Sequence, residues 1–296
     1  MTDRTRAKES ALLDWFRSRG SALIGFSGGV DSTYLACVAL EALGPSQMLA
    51  VIGRSASYPF EQWQRARGVA EQFGIPVVEL ETDELNDPRY AANPSNRCYF
   101  CKTELWGRLR PVALERGLAV VVDGTNADDL TDHRPGRQAA AEHGVESPLA
   151  ALGFTKYDIR VLSKARHIPT WSAPSSPCLA SRLPYGTEVT PLRLGKVEAA
   201  ERALRALGVM GDLRVRYYGN IARIELASGE MERWLQPGLR GALRRAVVES
   251  GFTGVEVDRR GFRSGSLNRE EIPWIDTLEP EVDARLHSDE LLTRVR

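Results

Sequence analysis

The first 168 residues alternate continuous apolar runs with longer segments whose apolar residues recur at helical spacing. The strand-like runs are SALIGF (21–26), QMLAVIG (47–53), PVVEL (76–80) and AVVVDG (119–124). The helix-like segments are VDSTYLACVALEAL (30–43), PFEQWQRARGVAEQFG (59–74), KTELWGRLRPVALERG (102–117), which Pro111 is expected to bend or split, and TKYDIRVLSKARHI (155–168). Continuous apolar runs are typical of strands that helices cover on both faces. The pattern therefore predicts an α/β fold, a doubly wound parallel sheet.

The pattern changes at PTWSAPSSPCLASRLPYG (169–186), which is rich in Pro and Ser and lacks apolar periodicity. After it, residues 191–208 and 237–251 have helical spacing, and TGVEVD (253–258) is strand-like. LRVRYYGNIARIEL (213–226) predicts a β-hairpin, because Gly219-Asn220 can turn two alternating strands. We therefore predict an α/β domain at 1–186, a smaller C-terminal α+β domain with an antiparallel sheet at 187–270, and a charged tail at 271–296.

Composition narrows the class of partner. The 296 residues contain 39 Lys plus Arg and 39 Asp plus Glu, so no overall basic field favours nucleic acid or an anionic membrane. The N-terminus has no apolar signal core, and no apolar run approaches the roughly 18 to 20 residues that span a bilayer. We expect a cytoplasmic protein with neither a nucleic-acid nor a membrane partner. In that compartment, clustered members of its four cysteines favour metal binding or reactivity over disulfides.

The strongest motif is IGFSGGVDST (24–33), at the junction of the first predicted strand and helix. Its two glycines permit a tight turn, and the start of a helix favours a phosphate. Asp31 would repel that phosphate, so a bridging Mg²⁺ is expected. The alternative is a plain glycine turn in which Ser27 or Asp31 caps the helix. The candidate binding residues are Ser27, Gly28, Gly29, Asp31 and Ser32.

The SGGVDS string resembles the pyrophosphate loop of the PP-loop ATP pyrophosphatases. That resemblance implies that ATP adenylates a carbonyl or carboxylate oxygen, that pyrophosphate leaves, and that a nucleophile then displaces AMP. A second junction supports it, because the apolar run 119–122 ends in Asp123-Gly124 and leads into polar residues. Ligands are expected at the carboxyl ends of parallel strands. The alternative for this junction is a solvated loop.

A third informative stretch is SSPCLASR (175–182), which places Cys178 in a Ser/Pro loop next to Arg182. A thiol near a cation ionises more readily, and the thiolate is both the nucleophile and the metal ligand. An inert loop cysteine is the alternative. Cys37 lies apart in an apolar helical stretch and is interpreted as a buried core residue.

Four segments together resemble the LarE family of ATP-dependent sulfur transferases over about residues 8–270: SGGVDS, DGTNADDLTDHRPGRQA, GFTKYDIRVLSKARHIPTWSAPSSPCLASRLPYGTEVT and RVRYYGNIARIE. The resemblance implies that ATP adenylates a carboxylate of pyridinium-3,5-biscarboxylic acid mononucleotide. A cysteine-derived sulfur then replaces the activated oxygen, and two cycles give the dithiocarboxylate that later chelates nickel. Family membership also implies a homo-oligomer and a possible downstream nickel-insertion protein.

Arginines in the C-terminal half suit a mononucleotide. Arg214 and Arg216 stand two apart on a predicted strand, so they share a face and can clamp a phosphate. Arg259 and Arg260 form a second candidate phosphate site. Glu225, on the partner strand, can orient substrate, bind a metal or form a cross-strand salt bridge.

The pair Cys98 and Cys101 in RCYFCK decides the sulfur source. By family resemblance, sulfur comes either from a sacrificial Cys178 or through a [4Fe-4S] cluster held by Cys98, Cys101 and Cys178. A structural zinc normally needs four Cys or His ligands, whereas a cubane tolerates a non-protein ligand on its fourth iron. We favour the cluster, with ATP and Mg²⁺ as the other cofactors.

Rival functions remain open at this point. A PP-loop tRNA thiolase also pairs two close cysteines with a distant third, although the chain has balanced charge and no recognisable RNA-binding module. A nonenzymatic adenine-nucleotide sensor would keep the loop and lose the chemistry. An amidotransferase-type synthetase is disfavoured because a glutaminase domain does not fit in this length.

Overall fold

A computed structural model describes residues 2–130, 135–263, 265–268 and 274–279. The helices are α1 (Asp3–Arg19), α2 (Val30–Leu43), α3 (Phe60–Phe73), α4 (Pro88–Ala91), α5 (Arg97–Glu115), α6 (Pro135–Glu142), α7 (Pro148–Ala151), α8 (Lys156–Ala165), α9 (Pro191–Ala206), α10 (Ser228–Trp234) and α11 (Pro237–Glu249). The strands are β1 (Ala22–Gly25), β2 (Met48–Arg54), β3 (Val77–Glu81), β4 (Val120–Val122), β5 (Leu213–Tyr218), β6 (Ile221–Leu226), β7 (Gly254–Asp258) and β8 (Ile275–Thr277). Short 3-10 turns lie at Glu84–Asn86, Asp128–Leu130, Pro169–Ser172, Leu179–Arg182 and Ser266–Asn268.

The chain divides into two compact units. The first comprises residues 1–181 with 185–191, and the second comprises residues 182–184 with 192–296. The domain bounds given from the sequence stay predictions. Most of the predicted charged tail, together with residues 131–134 of the second polar motif, lies outside the described residues.

The first unit contains a parallel sheet in the order β3-β2-β1-β4. Ala22 of β1 pairs with Met48 of β2 on one side and with Val120 of β4 on the other. Strands β2 and β3 therefore follow on one side of β1, and β4 lies on the other side of β1. This reversal of strand order places the ends of β1 and β4 at a switch point, where α/β sheets bind ligands.

Both faces of this sheet are covered, which confirms the doubly wound α/β fold. Alternate strand residues face opposite cores, because successive side chains point to opposite faces of a strand. Ile24 and Ile52 pack in one buried cluster with Phe16. Leu23 packs in the other with Trp106 of α5. This alternation is why the strands read as continuous apolar runs in the sequence.

The predicted strands and helices of the first unit are present, and the structure differs from the prediction in α5 and in additional helices. Helix α5 begins at Arg97, five residues before the predicted start, so Cys98 and Cys101 lie in its first turns. Pro111 lies inside α5 and does not split it. Helix α1, which apolar periodicity did not single out, buries Leu12 and Phe16 and exposes most of its other side chains.

The second unit contains a sheet in the order β5-β6-β7-β8. The predicted hairpin is present, since β5 and β6 pair antiparallel and Gly219 takes a φ of 67° in the turn. The expectation of a wholly antiparallel sheet is wrong, because β6 and β7 pair in parallel. The helices α10 and α11 between them carry the chain back to the starting edge, which is how parallel neighbours are connected.

Candidate active site

A glycine-dependent turn joins β1 to α2. Gly28 has a φ of +64°, and a Cβ built on it would lie 2.5 Å from the Cβ of Ala66 in α3. Only glycine combines that backbone conformation with that close approach. The first residue before α2 is Gly29, and in the part of the chain that the structure describes no side chain caps the helix there. The alternative in which Ser27 or Asp31 caps α2 is therefore not what the fold uses.

Side chains from α3 and its preceding loop hold the turn. The carbonyl of Ser27 accepts hydrogen bonds from Tyr58 Oη and from Gln62 Nε2, each of 2.9 Å. The Ser27 amide donates to Ser32 Oγ at 3.2 Å, and the two hydroxyl groups lie 3.1 Å apart. These contacts fix the loop before any ligand arrives. Tyr58 and Gln62 were missed by the sequence analysis, because neither belongs to a motif.

The second predicted junction lies against this turn. A Cβ built on Gly124 would lie 3.0 Å from the Ser32 amide nitrogen, so the two loops meet at van der Waals distance. Asp123 accepts hydrogen bonds from Thr125 Oγ1 at 2.8 Å and from Ser147 Oγ at 2.7 Å. Its carboxylate therefore shapes the loop after β4. The structure therefore brings together the glycine turn and the Asp123-Gly124 loop, the two loops that the sequence predicted to form a ligand site.

A cavity of about 520 Å³ opens beside Asp123 in the first unit. Its lining includes Thr125, Arg137, Gln138 and Ser147. The volume is within the range of roughly 300–1,000 Å³ that small-molecule sites occupy. The switch point of the sheet thus has both a glycine turn and a cavity of mixed polar and apolar lining next to it.

Asp31 lies in the first turn of α2, and its two carboxylate oxygens have different surroundings. Its Oδ2 accepts a charge-assisted hydrogen bond from Lys156 Nζ of α8. Its Oδ1 is buried and has no hydrogen-bond partner among the described residues. A buried carboxylate oxygen without a donor suits the oxygen ligands that Mg²⁺ requires, so Asp31 fits the predicted magnesium site. Lys156 was not a sequence candidate.

The loop that carries Cys178 is tied to the same region. The amide of Leu179 donates a 2.8 Å hydrogen bond to the carbonyl of Ser57. Ser57 Oγ in turn lies 2.7 Å from Tyr90 Oη, and both side chains are buried. Ser57 precedes Tyr58, whose hydroxyl holds Ser27. Two adjacent residues therefore anchor the phosphate loop and the Cys178 loop.

The three candidate cysteines occupy one electrostatic neighbourhood in the first unit. Cys98 is exposed, whereas Cys101 and Cys178 are half-buried. Burial raises the pKa of Cys101, and the charges of Glu84, Cys178 and Cys98 raise it further. Within the described ranges, however, no group of three His, Cys, Asp or Glu side chains forms a metal site. The thiols are neighbours without being arranged as cluster ligands.

Arg97 is a buried cation in this neighbourhood. Burial acts to lower its pKa, but the negative charges of Cys178 and Cys98 outweigh that effect and raise it. Its Nη1 donates to Asn93 Oδ1 at 3.1 Å, and the guanidinium lies 5.0 Å from the ring centroid of Tyr185. Arg97 was not a sequence candidate, and the role of Arg182 as a cation beside Cys178 stays a prediction.

In the second unit, the predicted arginine clamp is buried and partly neutralised. Arg216 donates to Glu225 Oε2 at 2.8 Å, so Glu225 forms the cross-strand salt bridge. Arg182 forms a bidentate pair with Glu201, with both distances 3.0 Å. Burial and then the like charge of Arg182 lower the pKa of Arg214 to about 10. A buried cation beside like charges is suited to receive an anion.

The second predicted phosphate site is occupied by carboxylates. Arg259 pairs with Asp276 at 2.7 Å, and Arg260 pairs with Asp258 at 3.3 Å. Arg263 also pairs with Asp258, which is 3% exposed. These contacts explain how the residues are held, and phosphate binding there stays a prediction.

Comparisons with known proteins show which chains this one is similar to. The NAD synthase family model matches residues 15–115. Over 263 residues the chain is 43% identical to an uncharacterized protein of Synechocystis. This match covers 89% of the present chain and 97% of the Synechocystis protein. Over 261 residues it is 34% identical to the pyridinium-3,5-bisthiocarboxylic acid mononucleotide synthase of Lactiplantibacillus plantarum, covering 88% and 94% of the two chains. A match to the glutamine-dependent NAD(+) synthetase of Aquifex aeolicus, 34% identical, spans 27% of this chain and 16% of that one.

Among the helices that the structure describes, none has the length and apolar character needed to cross a membrane.

Proposed function

Because the chain belongs to the LarE family of PP-loop enzymes, the pyridinium-3,5-bisthiocarboxylic acid mononucleotide synthases, we propose that it converts the carboxylates of pyridinium-3,5-biscarboxylic acid mononucleotide to thiocarboxylates. The chain is an ATP-utilising sulfurtransferase. The product would enter the synthesis of a nickel-pincer nucleotide.

One observation carries the proposal. Ser57 accepts a hydrogen bond from Leu179, next to Cys178, while the adjacent Tyr58 donates to Ser27 in the glycine turn. A phosphate loop and a cysteine loop are therefore fixed on the same short segment after β2. An enzyme that activates a carboxylate with ATP and then delivers sulfur needs its phosphate loop and its thiol on one rigid support. Misplacing the reacting atoms lowers the reaction rate.

The chemistry follows in two steps. A carboxylate oxygen attacks the α-phosphorus of ATP, and the bond to pyrophosphate breaks to leave an acyl adenylate. A sulfur nucleophile then attacks the acyl carbon, and AMP departs with the oxygen. The turn at 27–32 would hold the phosphates, with Mg²⁺ on Asp31, and Arg97 would stabilise the negative charge of Cys178.

For the source of sulfur we keep the cluster as the proposal. Cys98, Cys101 and Cys178 would hold a [4Fe-4S] cluster, which would supply an exchangeable sulfide. Cys98 and Cys101 lie three positions apart in the first turns of α5, and the charges of Cys178 and Cys98 both raise the pKa of Cys101, which supports this donor set. The described side chains form no three-ligand metal group, so the thiols must approach one another when iron binds. The alternative is a sacrificial Cys178, whose carbon–sulfur bond breaks and leaves dehydroalanine.

The second unit would bind the mononucleotide phosphate. Arg214 and Arg216 are 6% and 5% exposed, and guanidinium groups in such sites form strong, directional bonds to phosphate. Glu225 would hold Arg216 in place through their salt bridge. Arg259 and Arg260 are a weaker candidate, because carboxylates already pair with them. We further propose a homo-oligomer in the cytoplasm that passes its product to a nickel-insertion protein.

The Cys178→Ala variant tests the proposal. We expect substrate-dependent exchange of pyrophosphate into ATP to persist and thiocarboxylate formation to stop. Cys37→Ala is the matched control, because Cys37 is a buried thiol of α2 and should retain sulfur transfer. Thiocarboxylate made by Cys178→Ala would refute the sulfur role. Thiolation of tRNA would favour the tRNA thiolase, and ATP binding without AMP formation on any substrate would favour the nucleotide sensor.

A further inference from the structure

The loop that follows β7 packs against the end of β6. This post-β7 loop comprises the described residues 259–263 and 265–268. The Phe262 amide donates a hydrogen bond of 2.7 Å to the carbonyl of Leu226. Gly261 has a φ of +70°, and a Cβ built on it would lie 2.8 Å from the same carbonyl oxygen. Only glycine allows this approach, so the loop is fixed at the C-terminal end of β6.

Two side chains of the post-β7 loop contact the two arginines of the predicted clamp. The guanidinium of Arg214 lies 4.9 Å from the ring centroid of Phe262. Arg216 Nη2 donates to Ser266 Oγ at 2.9 Å. An aromatic ring attracts a guanidinium through its π-system, and a hydroxyl oxygen holds one by accepting a hydrogen bond. The loop therefore restricts the orientation of both arginines.

Ser266 closes a ring of hydrogen bonds with Arg216 and Glu225. Its hydroxyl donates to Glu225 Oε1 at 2.8 Å, while Arg216 Nη2 donates to Glu225 Oε2 at 2.8 Å. Because a serine has one hydroxyl proton, which here goes to Glu225, Ser266 presents lone pairs to Arg216. Arg216 and Glu225 are 5% and 3% exposed, so water competes little for these bonds and they are strengthened by the low local dielectric.

The strand register offers Glu225 another partner. Glu225 lies directly opposite Arg214 in the pairing of β5 with β6, and Arg216 is its diagonal neighbour. Directly opposed side chains are the closer pair on a sheet face. Among the described residues, however, the two carboxylate oxygens of Glu225 accept hydrogen bonds from Arg216 and Ser266. The bond from Ser266 therefore occupies the oxygen that would otherwise be available to Arg214.

We propose that Ser266 is a positioning residue of the mononucleotide site, which selects Arg216 as the partner of Glu225. By holding the carboxylate on Arg216, Ser266 keeps Glu225 from competing with the substrate phosphate for Arg214. Without the hydroxyl group, Glu225 turns to the arginine opposite it and opposes phosphate binding, since both groups are anions. The inference rests on the phosphate site proposed above for the second unit and adds to it a residue outside the arginine pair.

Binding to Ser266→Ala, measured by calorimetry on the full chain, tests the proposal. The affinity for pyridinium-3,5-biscarboxylic acid mononucleotide should weaken by about tenfold or more, the effect of losing a hydrogen bond to a charged group. The affinity for the corresponding nucleoside, which lacks the phosphate, should not change. Ser266→Thr keeps the hydroxyl group and should restore the mononucleotide affinity. Ser250→Ala is the control, because the Ser250 hydroxyl donates to the backbone carbonyl of Ala246 in α11, and it should change neither affinity.

Glu225→Gln separates positioning from packing. A neutral amide does not compete with a phosphate, so Ser266→Ala should have little further effect on mononucleotide binding in the Glu225→Gln background. An effect of Ser266→Ala that is equally large in that background would overturn the proposal, and so would equal weakening of mononucleotide and nucleoside.

The wild-type protein distinguishes failure of this inference from failure of the phosphate site. If the wild type prefers the mononucleotide to the nucleoside and Ser266→Ala does so to the same degree, the role of Ser266 is refuted while the phosphate site stands. A wild-type protein that binds the mononucleotide and the nucleoside equally would overturn both.

Discussion

The amide of Leu179 donates a hydrogen bond of 2.8 Å to the carbonyl of Ser57. This bond joins the loop of Cys178 to the segment that follows β2. The next residue, Tyr58, reaches the carbonyl of Ser27 with its hydroxyl group. Each loop is therefore held to this segment by its own hydrogen bond. A substitution that removes one bond can loosen the phosphate loop and leave the thiol in place.

Tyr58→Phe should loosen the phosphate loop selectively. The variant removes one of the two donors to the Ser27 carbonyl and leaves Gln62 in place. We expect a loss of about 1 kcal/mol in unfolding free energy and a weaker affinity for ATP. The alkylation rate of Cys178 should stay unchanged, because the bond between Leu179 and Ser57 involves only backbone atoms. Tyr157→Phe, at an exposed tyrosine, is the control, and equal ATP affinity in both variants would contradict the role of Tyr58.

Gly28→Ala should be far more harmful than Gly29→Ala. At Gly28 an alanine would have a φ of +64° and a Cβ 2.5 Å from that of Ala66. Strain and overpacking each cost about 1–3 kcal/mol. At Gly29 the added Cβ would meet Ser27 Oγ at 3.4 Å, an ordinary contact, with φ at −78°. Urea denaturation should show the difference, and equal losses of stability would contradict the assigned strain.

The fold was largely predictable because its signals are local. Each strand of the parallel sheet is an apolar run, and each covering helix repeats its apolar residues at helical spacing. The start of α5 was misplaced because RCYF is too short to show helical spacing and follows the loop-forming residues NPSN (93–96). The parallel pairing of β6 and β7 was missed because strand direction depends on the crossover of α10 and α11, which the strand sequences do not reveal.

The candidate site was only partly predictable. The glycine turn and the Asp123-Gly124 junction follow from local sequence, and their meeting follows from parallel strand order. Lys156 is not predictable in this way, because its partner is far away in sequence. Arg182 is near Cys178 in sequence, but its pairing with Glu201 is not visible in the sequence either. Sequence proximity identifies loops, whereas charge partners are set by the fold.

Replacing Cys98 and Cys101 by serine should separate the two sulfur routes. If the cluster carries the sulfur, wild-type protein purified without oxygen contains iron and sulfide, and it turns over repeatedly with Cys178 unchanged in mass. The double variant should lose the iron and the repeated turnover. Cys37→Ser is the control, because a buried thiol in α2 should not affect iron content. Wild-type protein without iron, whose Cys178 loses the mass of H₂S after one turnover, would establish sacrifice instead.

Asp258 should make stability depend on acid pH. Burial acts to raise the pKa of Asp258, but hydrogen bonds from Arg260 and Arg263 outweigh it and lower the pKa. Its stabilising effect is therefore complete above the ordinary pKa near 4 and is lost as pH falls through the lower folded value. Asp258→Asn should be less stable than wild type by roughly 1–3 kcal/mol at pH 7, and the difference should shrink in acid. A difference that does not vary between neutral and acid pH, measured by urea denaturation, would contradict this assignment.

Arg214→Met should stabilise the protein and impair its substrate site. Burial and the neighbouring charge of Arg182 lower the pKa of Arg214 to about 10, so its charged form is disfavoured in the folded state. That cost is present in full below pH 10 and disappears only as pH rises from there toward the ordinary value. Replacing the disfavoured charge by an apolar side chain removes this cost, so the free energy of unfolding should rise by an amount that is equal at pH 7 and pH 9.

The same variant should lose the increase in melting temperature that the pyridinium mononucleotide gives the wild type, because a phosphate relieves the cost of the Arg214 charge. Arg223→Met is the matched control, since Arg223 lies on β6 of the same sheet and pairs with Glu256 at 3.0 Å. Removing that paired cation should lower stability and leave the ligand effect intact. An Arg214→Met protein that is less stable than wild type, yet is still stabilised by the mononucleotide, would show that Arg214 holds the fold and does not bind the phosphate.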